Sequence, residues 1–451
     1  MYVPHTQAER EAMLSSIGVT SMEELFSAVP ADLRFPELRL TEAMTEPEIL
    51  SMLTELDHAN LSAAEVSCFL GASTYRHYVP AVLDNLTARG DFYTAYTPYQ
   101  AEISQGTLQG IYEFQSLIAR LTGMDAANAS HYDGATACAE AGILAYHHFR
   151  GKRKKIVVSA GLHPHYHMTM RTYLQDFDGV TVVIPRQDVF EGANAASFLE
   201  AIDDNTSLVL AAYPDFFGTV TDLTAIAEAA HAKGALFAVC VNPIALGLLK
   251  TPGEMGADIV VGEGQPLGLG LNYGGPYLGL FAVKSALIRK MSGRIVGETI
   301  DDRGQRAYVL TLTAREQHIR RDKATSNICS NQGLNALRAA VYLSELGASG
   351  LREVAKQCYD KAHYAAKKLG KIRGFKVLNE KPFFHEFVLH CPKPVEEINQ
   401  HLLDHDIIGG YDLSGVTLDL GNAMLVAVTE TTSKRDIDDL CAALAEEGTH
   451  A

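Results

Sequence analysis

The sequence predicts an α/β protein built on a mainly parallel sheet, and three observations carry that prediction. Short apolar, β-rich runs recur at residues 156–158, 180–184, 207–212, 235–241, 259–261 and 278–283. Helix-period segments such as 195–202 and 223–232 lie between them, at intervals of roughly 25 residues, the spacing of strands joined by crossover helices. A chain of 451 residues, 47% apolar and 20% charged, has enough apolar material to bury a large core.

In chain order, residues 1–60 carry helical patterns at 6–17, 22–28 and 46–60, broken by Pro30 and Pro36, and form an N-terminal helical arm. Such an arm packs either across a partner or on its own domain. Two long helical patterns follow at 104–121 and 135–149, and then the strands, which place residues 61–330 in one large domain. Ligands on such a sheet bind at the carboxyl ends of the strands. Beyond residue 330 the pattern changes to helices at 332–346, 351–369 and 395–404 with short strands at 375–378, 384–389 and 423–428. Residues 331–451 are accordingly a smaller α+β domain, reached through 323–331.

The formal charge of −16 repels phosphate backbones and argues against nucleic-acid binding. The basic run Arg150 to Lys155 precedes an apolar stretch and reads as the exposed link into a strand. Seven cysteines without a Cys-x-x-Cys spacing indicate a reducing compartment. With no leader-like start and no apolar run approaching a membrane span, a soluble, cytoplasmic protein with no membrane contact is expected.

The most informative stretch is 256–279. It reads as a buried strand followed by the glycine-rich turn on which a pyridoxal phosphate enzyme carries its Schiff-base lysine, yet it contains no lysine. Gln265 and Pro266 stand near that position, and proline offers neither a side-chain amine nor a backbone donor. No catalytic residue is therefore assigned to this chain. Asp133-Gly134-Ala135-Thr136 opens a helix and reads either as a phosphate cradle or as plain capping. The strand 236–241 ends in Asn242-Pro243, where an aspartate would hold a pyridinium nitrogen protonated. Lys233, Lys250, Lys284 and Lys290 read as surface lysines, and His163, His165 and His167 as a polar loop rather than a metal site. Residues 93–106, dense in phenols, hydroxyls and amides, suit a pocket wall or buried capping. Residues 315–329 suit a solvated helix or a carboxylate-binding interface.

Four stretches together resemble the glycine cleavage system P-protein family: Tyr96-Thr97-Pro98-Tyr99-Gln100 with Glu102 to Gly106; Asn128-Ala129-Ser130 with Tyr132 to Thr136; Tyr273-Gly274-Gly275-Pro276; and Arg315 to Arg321 with Ser326 to Cys329. The likeness covers nearly the whole chain, and the length matches the separate N-terminal subunit of that family. The resemblance implies an aspartate-aminotransferase-like fold (fold type I of pyridoxal phosphate enzymes). It also implies a heteromeric glycine decarboxylase whose second subunit binds pyridoxal 5'-phosphate covalently through its own lysine. In that family glycine is decarboxylated and its aminomethyl group passes to the lipoyl arm of H-protein. Sites of this fold type form at dimer interfaces, so Tyr96, Thr97, Tyr99, Glu102, Ser104 and Gln105 are expected to line the partner's site, in a heterodimer or heterotetramer. The competing expectation is a non-catalytic scaffold or regulator on a degenerate enzyme fold. An autonomous nucleotide enzyme is disfavoured, because 262–275 fits neither a dinucleotide fingerprint nor a lysine-bearing phosphate loop.

Overall fold

The apolar runs form strands, and Thr206–Tyr213, Ile259–Glu263 and Gly279–Val283 are buried along their whole length, as a sheet covered on both faces requires. These features come from a computed structural model that describes residues 4–93, 97–185, 192–193, 195–416 and 420–449. The chain divides into two units, 1–61 and 62–451.

In the second unit a seven-stranded sheet runs in the order Ala126–Ala127, Gly279–Val283, Ile259–Glu263, Leu236–Val241, Thr206–Tyr213, Lys155–Val158, Thr181–Val183. The last five pair in parallel, whereas Gly279–Val283 is antiparallel to both its neighbours. Alternation along the strands sorts the core into two layers. Val209, Phe237, Val239 and Val260 pack with Phe114 and Ile118 of the helix Gln105–Thr122 and with Ile226 of the helix Thr224–Ala232. Leu208, Leu210, Ala238 and Val261 face the opposite way, onto the helices Gly134–His148 and Pro164–Leu174. Arg153 ties the entry to this sheet by donating to the carbonyls of Thr206 and Lys233 at 3.0 and 2.8 Å, and Lys155 pairs with Asp203 at 2.9 Å.

A four-stranded antiparallel sheet follows, in the order Lys376–Val377, Glu386–His390, Ala423–Ala427, Tyr411–Asp412, packed around Phe387, Leu389 and Val426. The two helices expected at 332–346 and 351–369 lie end to end within Gly333–Leu369, separated by a break at Gly347. Its φ of 59° with ψ of −174° is open only to glycine. The histidine run departs from expectation: it is not a loop but the start of the helix Pro164–Leu174, with His163 as its cap. Proline at the first helical position is the signal that foretold this. The hairpin Val296–Ile300 with Arg306–Leu310 carried no clear alternation in the sequence.

The first unit holds the helices Gln7–Ile17 and Glu46–His58, each opened by a capping box, from Thr6 with Glu9 and from Thr45 with Glu48. Not one residue of 4–61 is buried. No helix among the described residues is long and apolar enough to cross a membrane.

Candidate functional site

At the carboxyl ends of the parallel strands lies a cavity of about 50 Å³, walled by Tyr75, His163, Tyr166, Asp215, Asn242 and Pro266. Gln265, next to the expected lysine position, is fully buried and wholly engaged. Its Oε1 accepts from the Tyr75 amide at 3.0 Å, and its Nε2 donates to the carbonyls of Tyr75 and Leu269, each at 2.9 Å. Glu263, at the end of its strand, reaches the opening of the helix Gly134–His148. Its Oε2 accepts from the Gly134 amide at 3.0 Å, and its Oε1 from the amides of Gln265 and Leu278 at 2.8 and 3.2 Å. A carboxylate of the chain thus stands where a phosphate would bind a helix N-terminus. Gly134 permits the approach, since a Cβ there would meet Tyr166 Oη at 2.6 Å. Asp133 caps the same helix, accepting from Thr136 N at 2.8 Å.

Ligand pockets enclose about 300–1,000 Å³, so this cleft, lined by Glu263 and Pro266, is too small as it stands for a phosphorylated pyridine ring. Burial pushes its carboxyls up. Burial raises Asp215 to about 8, against amide donors from Thr219 and Phe217, while its Oδ2 has no partner. Burial likewise raises Glu263 to about 8 and Glu386 to about 7, Glu386 accepting from Tyr75 Oη at 2.7 Å. His163 and His167 are pushed down to about 4 by burial and contact the carbonyls of Ala72 and Ser159 at 3.2 and 3.1 Å, which uses one ring nitrogen of each. Asn242 Oδ1 accepts from the Ile244 amide at 3.0 Å, a turn role. Lys233, Lys250 and Lys284 pair with Asp204, Asp222 and Asp258, Lys290 meets His148, and none lines the cavity.

Of the residues expected to line a partner's site, Thr97 and Tyr99 lie elsewhere, around a side chain that sequence reasoning missed. Arg294 is 1% exposed and forms an ion pair with Glu316, itself 4% exposed. It also donates to Tyr99 Oη at 3.0 Å and Cys329 Sγ at 2.9 Å, and its guanidinium lies 5.3 Å from the Tyr99 ring centre. Thr97 is buried and its hydroxyl bonds to that of Ser330, which Arg294 Nε meets at 3.5 Å. Tyr99 is 56% exposed, and its ring meets that of His318 at 5.3 Å between centres. Glu102 is exposed and finds no hydrogen-bond partner among the described residues. Ser104 caps the helix Gln105–Thr122 by position, without a side-chain bond. Gln105 is spent on the hairpin: its amide donates to Tyr308 O and accepts from Tyr308 N, both at 2.9 Å. Tyr96 lies outside the described residues.

Beside this cluster a cavity of about 350 Å³ is bounded by Tyr93, Thr107, Arg294, Ser330, Asn331 and Leu334. Residues 315–329 form a strap rather than a long helix: Arg315 donates to Gly293 O at 2.7 Å, and Ser326 to the buried Glu140 at 2.8 Å. Burial holds the Glu140 carboxyl up at about 7. Arg294 follows a Ser-Gly pair in an unremarkable loop, and no spacing marks it in a single sequence.

Comparison with known proteins places these features in context. The family model of the glycine cleavage system P-protein matches residues 1–444. A probable glycine dehydrogenase (decarboxylating) subunit 1 from Thermomicrobium roseum is 50% identical over 99% of both chains, and its counterpart from Desulforamulus reducens is 50% identical over 98% of this chain and 99% of the other. The crystal structure of a glycine decarboxylase (P-protein) of the glycine cleavage system, in inhibitor-bound form, superposes with a TM-score of 0.91 at 42% identity, covering 99% of each chain. Glutamate decarboxylase of Lactobacillus brevis, at 15% identity and a TM-score of 0.69 over 95% of this chain and 97% of that one, shares the fold.

Proposed function

The chain belongs to the glycine cleavage system P-protein family, and from that membership we propose that it is the lysine-free subunit of a heteromeric glycine decarboxylase, completing a reactive site carried by a second subunit. Its fold is that of the fold type I pyridoxal phosphate enzymes. The observation that supports the reading is the small cleft: Pro266, which has no amine, lines it near the expected lysine position, and Glu263 takes the Gly134 amide at the helix opening, where a phosphate would otherwise bind. The relatives' designation as subunit 1 supports a second chain, and in this reading that chain binds pyridoxal 5'-phosphate covalently through its own lysine. The cofactor supplies an electron sink for loss of carbon dioxide from glycine. No step is assigned to the cofactor in this chain's own cleft.

What this chain brings is a preorganised face. Arg294 fixes Tyr99 by a charge-assisted hydrogen bond and Ser330 fixes Thr97, so residues 97–99 are held rather than free. Tyr96, Thr97, Tyr99, Glu102 and Ser104 line and position in the partner's site, and Gln105 acts through the hairpin it pins. Lipoylated H-protein is the acceptor of the aminomethyl group.

The test uses the purified chain alone and mixed with the second subunit. The lone chain is expected to show no aldimine absorbance and no glycine-dependent carbon dioxide exchange, both arising on mixing. A stoichiometric pyridoxyl adduct trapped by borohydride on the lone chain overturns the reading.

A further inference from the structure

Two helices end side by side on the four-stranded sheet. Val395–Leu403 and Lys434–Thr449 bury Ile398, Leu402, Leu440 and Leu444 in one apolar cluster with Phe387, Leu389 and Val426 of its strands. That close-packed core holds the two helix ends in place. Away from it stand His401 in the last turn of the first helix, His405 in the turn beyond, and Glu446 in the last turn of the second. His401 and His405 are four residues apart, the spacing that sets two imidazoles on one face, and their ring centres lie 4.7 Å apart. Glu446 Oε2 is 3.8 Å from His401 Nε2 and 3.6 Å from His405 Nε2. One nitrogen or oxygen from each of the three lies within 4.8 Å of the others. Zinc bonds of about 2.0–2.1 Å in a tetrahedron put ligand atoms about 3.3 Å apart, so the two carboxylate contacts already approach that spacing, and a turn of the exposed His405 ring closes the third.

Charge points the same way. A helix C-terminus is the negative end of its dipole and favours a cation, yet the last turn of Lys434–Thr449 holds Glu446 and Glu447 and no basic residue. Lys393 answers Glu447 at 2.5 Å. Glu447 also lies 3.6 Å from His401 Nδ1, where a carboxylate orients a metal-bound histidine through its second nitrogen. We propose that His401, His405 and Glu446 bind a divalent transition-metal ion of the zinc class, with Glu447 orienting His401 and water in the fourth position. His401 Nε2, 3.1 Å from the Ala443 carbonyl, exchanges that contact for the metal, and its proton moves to Nδ1 on the side of Glu447. The ion then staples the two helix ends together. A second group of such residues, His77, Cys358 and Glu430, is closed by its own hydrogen bonds: His77 Nδ1 meets Glu430 Oε2 at 2.7 Å, and Cys358 Sγ meets the same oxygen at 3.4 Å.

Calorimetric titration of the full-length protein with zinc, and with cobalt as a visible probe, tests this. One equivalent is expected to bind at micromolar zinc, and cobalt to give the visible bands of a four-coordinate ion. Affinity is expected to fall at least about tenfold in His405→Ala and in His401→Gln, and about tenfold in Glu447→Gln. Zinc is expected to raise the thermal midpoint of the wild type and to leave that of His405→Ala where it stands without metal. His405→Ala changes a side chain outside the core, so its metal-free midpoint stays near the wild-type value and separates lost binding from lost folding. No uptake at micromolar zinc overturns the inference. Uptake that His405→Ala and His401→Gln leave unchanged also overturns it, and thiolate-to-cobalt absorption in the near ultraviolet would then place the ion on a cysteine instead. Equal uptake of magnesium overturns the transition-metal assignment and marks an acidic surface alone.

Discussion

Gln265 sets the residue scale, because one amide side chain satisfies three backbone groups that are sealed from water. Gln265→Ala leaves the Tyr75 amide and two carbonyls unpaired, at about 1–3 kcal/mol for each unpaired group. The expected loss is roughly 3 kcal/mol or more in urea-monitored unfolding, and a loss under 1 kcal/mol would show that water replaces the side chain. Gln265→Lys is expected to destabilise as well and to form no aldimine, since Glu263 holds the helix opening. Asp215 governs pH. Burial lifts it from 3.8 to about 8 in the folded chain, so the folded state holds a proton that the unfolded state releases. The stability from that proton is complete below 3.8 and lost as pH rises through about 8, with a slope near 1.4 kcal/mol per pH unit between. Asp215→Asn keeps the acceptor for Phe217 and Thr219 and removes the titration. Its unfolding free energy should vary less between pH 5 and 8 than that of the wild type; equal slopes assign the proton elsewhere.

At the scale of elements, Gly347 offers the sharpest case. A Cβ there meets nothing within 4 Å, so Gly347→Ala tests backbone strain alone. The expected cost is about 1–3 kcal/mol, read as a lowered midpoint in thermal unfolding; an unchanged midpoint means that the two helix halves realign without cost. This break was legible in the sequence because the helix pattern lapses between 346 and 351. The buried strands were legible for a related reason, since continuous apolar runs suit only a sheet covered on both faces. The hairpin Val296–Ile300 with Arg306–Leu310 was not, for its polar tip at 301–305 and mixed faces draw their stability from Gln105, more than 200 residues away. The histidine helix was misread because alternation suggested an extended segment while Pro164 signalled a helix start. The absent lysine was visible as a gap in a pattern, whereas Arg294 depends on contacts from Tyr99, Glu316 and Cys329 that only the folded chain assembles.

For the whole molecule the deciding question is whether a chain with a cleft of only about 50 Å³ serves chemistry or only shape. Glu102 and Tyr99 separate these because of where they sit. Both are exposed, and Glu102 has no partner among the described residues, so Glu102→Gln costs the fold little. Tyr99→Phe removes one hydroxyl that Arg294 reaches, while Arg294 keeps Glu316 as its counter-charge. If the face built around Arg294 completes the partner's site, each substitution leaves the assembled complex intact by sizing. Each then lowers its glycine-dependent turnover by about five- to tenfold, the kinetic worth of one hydrogen bond of about 1 kcal/mol. If the chain is a scaffold on a degenerate fold, assembly and turnover both stay at wild-type values. A fall in turnover accompanied by equal loss of assembly would instead place Tyr99 in the docking surface, and titration with excess partner would then restore the rate.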